Sequence, residues 1–261
     1  MKKWIPIVLL LLLFCGCGGE VAETTSPETT AEMTESVATV ESTIPVTVPP
    51  TTVPPTTMVT EPVLDESWFD DVLFIGESRT AGLKGYGRLG RADYFCGEGL
   101  TVYGVMGIQA SDANFEEQTL YSLFSWKTYG KIYIHLGINE LGGNLDSYVV
   151  KYQAIIDEIR QLQPQAQIIL QSVLALGEGY SSKTAFSRES IQDINNRIRT
   201  LAEENDLYFS DVNQIMTNEE GYLIKERTFD GCHLYPAAYE IWAQWLLEEA
   251  SVIEMLREKE S

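Results

Sequence analysis

Positive charge and histidine are both scarce in this sequence. Its 261 residues hold 18 Lys and Arg against 38 Asp and Glu, for a formal charge of −20. That balance speaks against nucleic acid as a partner, because phosphate binding needs clustered Lys and Arg to displace counterions. It also disfavours attraction to an anionic lipid surface. With two histidines only, His135 and His233, a His-rich metal centre is excluded and any imidazole chemistry must use one of the two. A zinc site built on Asp230, Cys232 and His233 lacks a second pair of ligands at suitable spacing.

The absence of basic residues is most marked near the start. None occurs between Lys3 and Arg79. Lys2 and Lys3 precede an apolar run from Trp4 to Phe14, too short to span a bilayer as a folded helix would. The run ends in Phe14-Cys15-Gly16-Cys17-Gly18, which resembles a bacterial lipoprotein signal over residues 1–17. Cys17, preceded by the small Gly16, is a better acceptor of lipid than Cys15, preceded by Phe14. An ordinary secretory signal is the alternative. A multiply acylated Cys17 would anchor the chain stably in a membrane where a single acyl chain would not.

Residues 18–62 hold seven of the ten prolines, many threonines and a tandem Val-Pro-Pro-Thr-Thr from Val48 to Thr57. With little apolar surface to bury, such a segment is expected to act as a linker. It would reach roughly 40 Å as a flexible coil and about 140 Å in polyproline form. Residues 63–261 remain, enough for one buried core. Cys96 and Cys232 lie there; an oxidising exterior would let them pair, and the alternative is two unpaired core thiols.

This last segment alternates short apolar runs with helical periodicity. Val72–Ile75, Leu100–Val105, Lys131–Leu136, Ile168–Val173 and Leu207–Phe209 read as buried strands. Leu145, Tyr148, Tyr152, Ile155, Ile159 and Leu162 step by three and four until Pro164 ends the run. Ile191, Ile194, Ile198 and Leu201 repeat the spacing, and a last helix starts at Pro236. Strands separated by helices imply an α/β fold, a parallel sheet covered on both faces. Ligands bind beyond the carboxyl ends of such strands.

Four strand ends and loops therefore matter. Ser78, in Gly76-Glu77-Ser78-Arg79-Thr80, stands at a strand-to-helix turn. There it is either a helix cap or a nucleophile whose own N–H, at a helix start, faces a developing oxyanion. Thr80 occupies the place of the second glycine of Gly-x-Ser-x-Gly, so the α/β-hydrolase elbow is absent. Gly104 and Gly107 follow the expected second strand, and either could offer a backbone N–H. Asn139, after Gly137, could aim its amide into the cleft or make an Asx-turn. Asp230, three residues before His233, can reach the imidazole nitrogen not used in proton transfer and fix its tautomer. His135 lies within an apolar run and reads as a core or cleft-floor histidine.

An early Ser and a late Asp-x-x-His, with Gly107 and Asn139 between, resemble the SGNH (GDSL-type) hydrolase family from about Asp70 to Leu247. The block from Asp230 through Tyr239 to Trp242 is the most specific part of the resemblance. Glu77 and Glu140 depart from it, standing where Asp is common. The resemblance implies a three-layer α/β/α sandwich with a flavodoxin-like parallel sheet of about five strands. It implies a Ser78–His233–Asp230 triad and an oxyanion hole of the Ser78 and Gly107 N–H groups and the Asn139 amide, with Gly104 a rival to Gly107. No metal or organic cofactor and no obligate protein partner is expected. The expected activity is removal of acyl, chiefly acetyl, groups from an extracellular carbohydrate or cell-wall ester by a lipid-anchored enzyme. Two alternatives share the site: an acyltransferase acting on surface glycan, and an inactive glycan-binding protein. No long apolar lid, as a lipase would carry, is visible.

Overall fold

In a computed structural model the described residues are 65–115, 117–180 and 185–260. The expected signal at 1–17 with Cys17, and the linker at 18–62, lie outside them. Five parallel strands, β1 (Val72–Gly76), β2 (Asp93–Cys96), β3 (Lys131–His135), β4 (Gln167–Gln171) and β5 (Tyr208–Ser210), form one sheet in the order β2-β1-β3-β4-β5. The parallel five-stranded arrangement is the one the alternating pattern implies.

Strand alternation divides the core into two layers. Leu73, Ile75, Ile132, Ile134, Ile168 and Leu170 face one side. There they meet the apolar stripes of α3 (Leu145–Leu162) and α4 (Arg188–Glu204). Val72, Phe74, Tyr133 and Ile169 face the other side, against Leu83 of α1 (Ser78–Tyr86) and Trp242 and Leu246 of α6 (Pro236–Glu260). Two short helices, α2 (Leu120–Phe124) and α5 (Asn213–Met216), complete the set among the described residues. The long helices start where side chains satisfy their free N–H groups. The Asn144 side chain accepts from Ser147 N–H and the Ser187 side chain from Ser190 N–H. Two further features of the fold bear on chemistry. The described residues contain no helix long and apolar enough to cross a membrane. Cys96 and Cys232 are buried, unpaired thiols.

The structure corrects the second strand. Residues 102–107 form successive turns, and β2 is the earlier Asp93–Cys96. Leu100, Val102, Val105 and Met106 are nonetheless buried in the α3–α4 layer. Their apolarity reports burial of a turn-rich loop, not pairing in the sheet.

The strand order reverses beside β1, whose neighbours are β2 and β3. Such switch points open a crevice at the carboxyl ends of the strands. Gly137, just past β3, shapes that edge with φ of 148°. A Cβ there would stand 2.6 Å from Val173 Cγ2 and 3.0 Å from Ile194 Cδ1. Gly137→Ala is expected to cost roughly 2 kcal/mol or more in backbone strain and overpacking. Thermal unfolding should show the midpoint lowered by about 5 °C; an unchanged midpoint would contradict this account of the turn.

Candidate active site

β1 ends at Gly76, Glu77 caps α1, and Ser78 opens the helix, half-buried. Facing Ser78, a short clasped loop carries Asp230 and His233. Asp230 Oδ1 accepts from the N–H groups of Cys232 (2.8 Å) and His233 (2.7 Å). Thr228 Oγ1 donates to the His233 carbonyl at 2.6 Å and accepts from Gly231 N–H at 2.9 Å. Gly231, with φ of 84°, makes the bend, and its carbonyl accepts from Gly177 N–H at 2.7 Å. The loop so fixed places Asp230 Oδ2 2.7 Å from His233 Nδ1, and His233 Nε2 3.0 Å from Ser78 Oγ. Burial raises the Asp230 pKa, but the hydrogen bonds from the His233 side chain and from the two backbone N–H groups outweigh it and hold the carboxyl below its ordinary value. Ser78, His233 and Asp230 are thus brought together in hydrogen-bonding order.

In the sequence Glu77 stands out only as a Glu where Asp is common. Its carboxylate is almost wholly buried. Oε2 accepts from Ser78 Oγ (2.9 Å) and Arg79 N–H (3.1 Å), and Oε1 from Arg79 Nε (2.8 Å). Burial alone would raise its pKa; the charge of Arg79, then His135 and the hydrogen bonds, bring it down to about 2. The Ser78 hydroxyl thus has two acceptors within reach, Glu77 Oε2 and His233 Nε2, for a single proton. His135 is buried below. Its Nδ1 lies 3.1 Å from Thr80 Oγ1 and 3.4 Å from Glu77 Oε1, and its ring packs edge-on to Trp242. Burial pushes its pKa down to about 4, in keeping with a structural, neutral histidine.

The expected oxyanion donors divide. Ser78 N–H, at the first residue of α1, has no intrahelical acceptor and lies at the positive end of the helix dipole. The Asn139 amide Nδ2 donates to the Leu100 carbonyl at 3.0 Å and keeps a second hydrogen. Gly107 is placed differently. Its N–H donates to the Gly104 carbonyl at 3.0 Å. The 102–108 loop lines a cavity with Tyr121, Lys151 and Glu158, on the side of α3. The reason is the shifted second strand: the loop that leaves β2 towards Asn139 is Gly97–Leu100. Gly97 N–H donates to Gly76 O, and Gly99, exposed, has φ of 69°. Two closely spaced glycines directly after Asp93–Cys96 were the available signal, masked by the longer apolar run that follows them.

Glu140 clamps the same loop, accepting from Val102 N–H at 2.7 Å through Oε1, while Oε2 is buried without a partner. Among the described residues no cluster of His, Cys, Asp and Glu could hold a metal ion.

Residues 74–241, more than half the chain, match the model of the GDSL-like lipase/acylhydrolase family. The chain belongs to that family and is a serine ester hydrolase. Among solved structures it is similar to a GDSL-like lipase from Bacteroides thetaiotaomicron, at 20% identity and TM-score 0.54 over 69% of this chain and 89% of that one. It is also similar to a candidate platelet activating factor from Streptococcus pneumonia, at 22% identity and TM-score 0.54 over 75% and 86%. At these identities the likeness establishes the fold. No curated protein matches the chain.

Burial pushes the Glu140 pKa up to about 7 from an ordinary 4.5. The folded state then keeps a proton that the unfolded chain releases, so this group's contribution is complete below pH 4.5 and lost as pH rises through 7. His135 has the opposite sign, but it cancels between wild type and variant. Glu140→Gln should therefore gain on the wild type by up to roughly 3 kcal/mol between pH 5 and pH 8 in urea unfolding. A difference that does not change with pH would refute it.

Proposed function

We propose that Ser78, His233 and Asp230 are the catalytic triad of an esterase that removes short acyl groups, acetyl foremost, from carbohydrate outside the cell membrane. The observation that carries the triad is the unbroken chain from Ser78 Oγ to His233 Nε2 (3.0 Å) and from His233 Nδ1 to Asp230 Oδ2 (2.7 Å). With its Nδ1–H held by Asp230, neutral His233 presents a lone pair at Nε2. Ser78 Oγ attacks the acyl carbon and passes its proton to that nitrogen. The carbonyl becomes an oxyanion, received by Ser78 N–H and the free hydrogen of the Asn139 amide. Gly99 is the glycine we assign to the place first given to Gly107. Collapse breaks the ester bond, and the leaving alkoxide takes the proton from His233. Water, deprotonated by the same nitrogen, then attacks the acyl-Ser78 carbon and releases the acid.

Ser78→Ala should lower turnover of a short-chain aryl acetate by at least about 10⁴-fold without changing the unfolding midpoint. Asn139→Ala should lower kcat by roughly 10²–10³-fold. Wild-type turnover in Ser78→Ala would end the proposal. The carbohydrate assignment is read out by acetate release from O-acetylated polysaccharides.

The Thr/Pro-rich segment and the Gly16-Cys17 pair support the extracytoplasmic, lipid-anchored placement. The full chain expressed in a bacterium is expected in the membrane fraction and labelled by radioactive fatty acid, and Cys17→Ser is expected to lose both. Persistence of label in that variant would overturn the assignment of Cys17.

A further inference from the structure

Phe229, the residue before Asp230, is 60% exposed. It lies between the Thr228 clasp and the Gly231 bend. One face of the ring is parallel to the His233 imidazole, with centroids 6.0 Å apart and planes 17° apart. Tyr235, 44% exposed, stands 5.8 Å away on a tilted plane. Beyond Asp230 the two rings border an open cleft of about 700 Å³, whose walls include Tyr222, Asn218 and Lys225.

Position decides what this platform meets. In ester cleavage the alcohol oxygen takes its proton from His233, so the alcohol half of the ester lies on the His233 side. An aromatic surface flanking His233 is therefore an alcohol-side surface and not an acyl pocket. Its chemistry narrows the alcohol. A flat apolar ring bordered by tyrosines, an amide, an ammonium and the Glu178 carboxylate complements a molecule with one apolar C–H face and a hydroxyl-bearing rim. An alkyl chain would leave those polar groups desolvated and unpaired.

We propose that Phe229 and Tyr235, with the cleft beyond Asp230, form the subsite for the sugar ring that leaves as the alcohol. This rests on the triad reading above and adds the residues that select the substrate. The same surface would hold a sugar hydroxyl over the acyl-enzyme, so it governs acceptor choice as well as leaving-group choice.

The test compares two acetates that share one acyl-enzyme: an O-acetylated methyl pyranoside and trifluoroethyl acetate, whose alcohol is too small to stack. In the full-length protein, Phe229→Ala should lower the ratio of their kcat/KM values about ten-fold, mainly through KM for the pyranoside. Phe229→Tyr should restore the ratio. An unmoved ratio in Phe229→Ala, whether because both substrates suffer equally or because neither does, overturns the proposal. A loss confined to long-chain glycerol esters would overturn it in favour of a lipid alcohol. Failure of the triad reading is seen separately, since Ser78→Ala should lose both substrates; a ratio unmoved while Ser78→Ala is inactive removes only the sugar platform.

Discussion

The pairing of Glu77 with Arg79 in a water-excluded setting is the constraint around which the site is arranged. Both side chains are about 1% exposed. Arg79 Nη1 also donates to the Leu174 carbonyl at 3.0 Å, so the pair ties the end of β1 to the segment that follows β4. Burial of two charges is tolerable only while each compensates the other, and deleting one partner of such a pair typically costs about 3–5 kcal/mol. Ser78 sits between them in sequence, and its hydroxyl and helix position follow from the cap that Glu77 supplies. The carboxylate that caps α1 and pairs with Arg79 is also an acceptor for the Ser78 hydroxyl.

Asn139 and Glu140 form a second, smaller device. They are adjacent on a single 3₁₀ turn, Ile138–Glu140, yet they bond to two points of one neighbouring loop, Leu100 O and Val102 N–H. One residue gives a hydrogen and the next accepts one, so the loop after β2 is held in register with the end of β3. The unpartnered Oε2 of Glu140 leaves this register open to protonation.

What could be read in the sequence depended on how far apart the interacting residues lie. Asp230 and His233 are three residues apart, and their spacing alone brought carboxylate and imidazole within reach. The α3 and α4 stripes were legible for the same reason, since their period is local. The Glu77–Arg79–His135 network was not, because His135 reaches it only through the pairing of β1 with β3. The displaced second strand has another cause. The run Leu100–Val105 is more apolar than Asp93–Cys96, and hydropathy cannot separate a buried strand from a buried turn. Placing Gly107 after a strand inherited that displacement, and the structure returns the role of strand-end loop to Gly97–Leu100.

The loop around Gly231 makes Asp230 and His233 a single rigid piece. Both backbone N–H groups, the Thr228 hydroxyl and the Gly177 amide fasten it. Ser78 belongs to a different piece, the end of β1. The three groups therefore meet across one seam, and mechanical tolerance in the site is concentrated in the 3.0 Å between Ser78 Oγ and His233 Nε2. Disturbances that shift α1 against the C-terminal segment open that seam while leaving Asp230 and His233 aligned, so the Ser78–His233 contact can be lost well before the fold is.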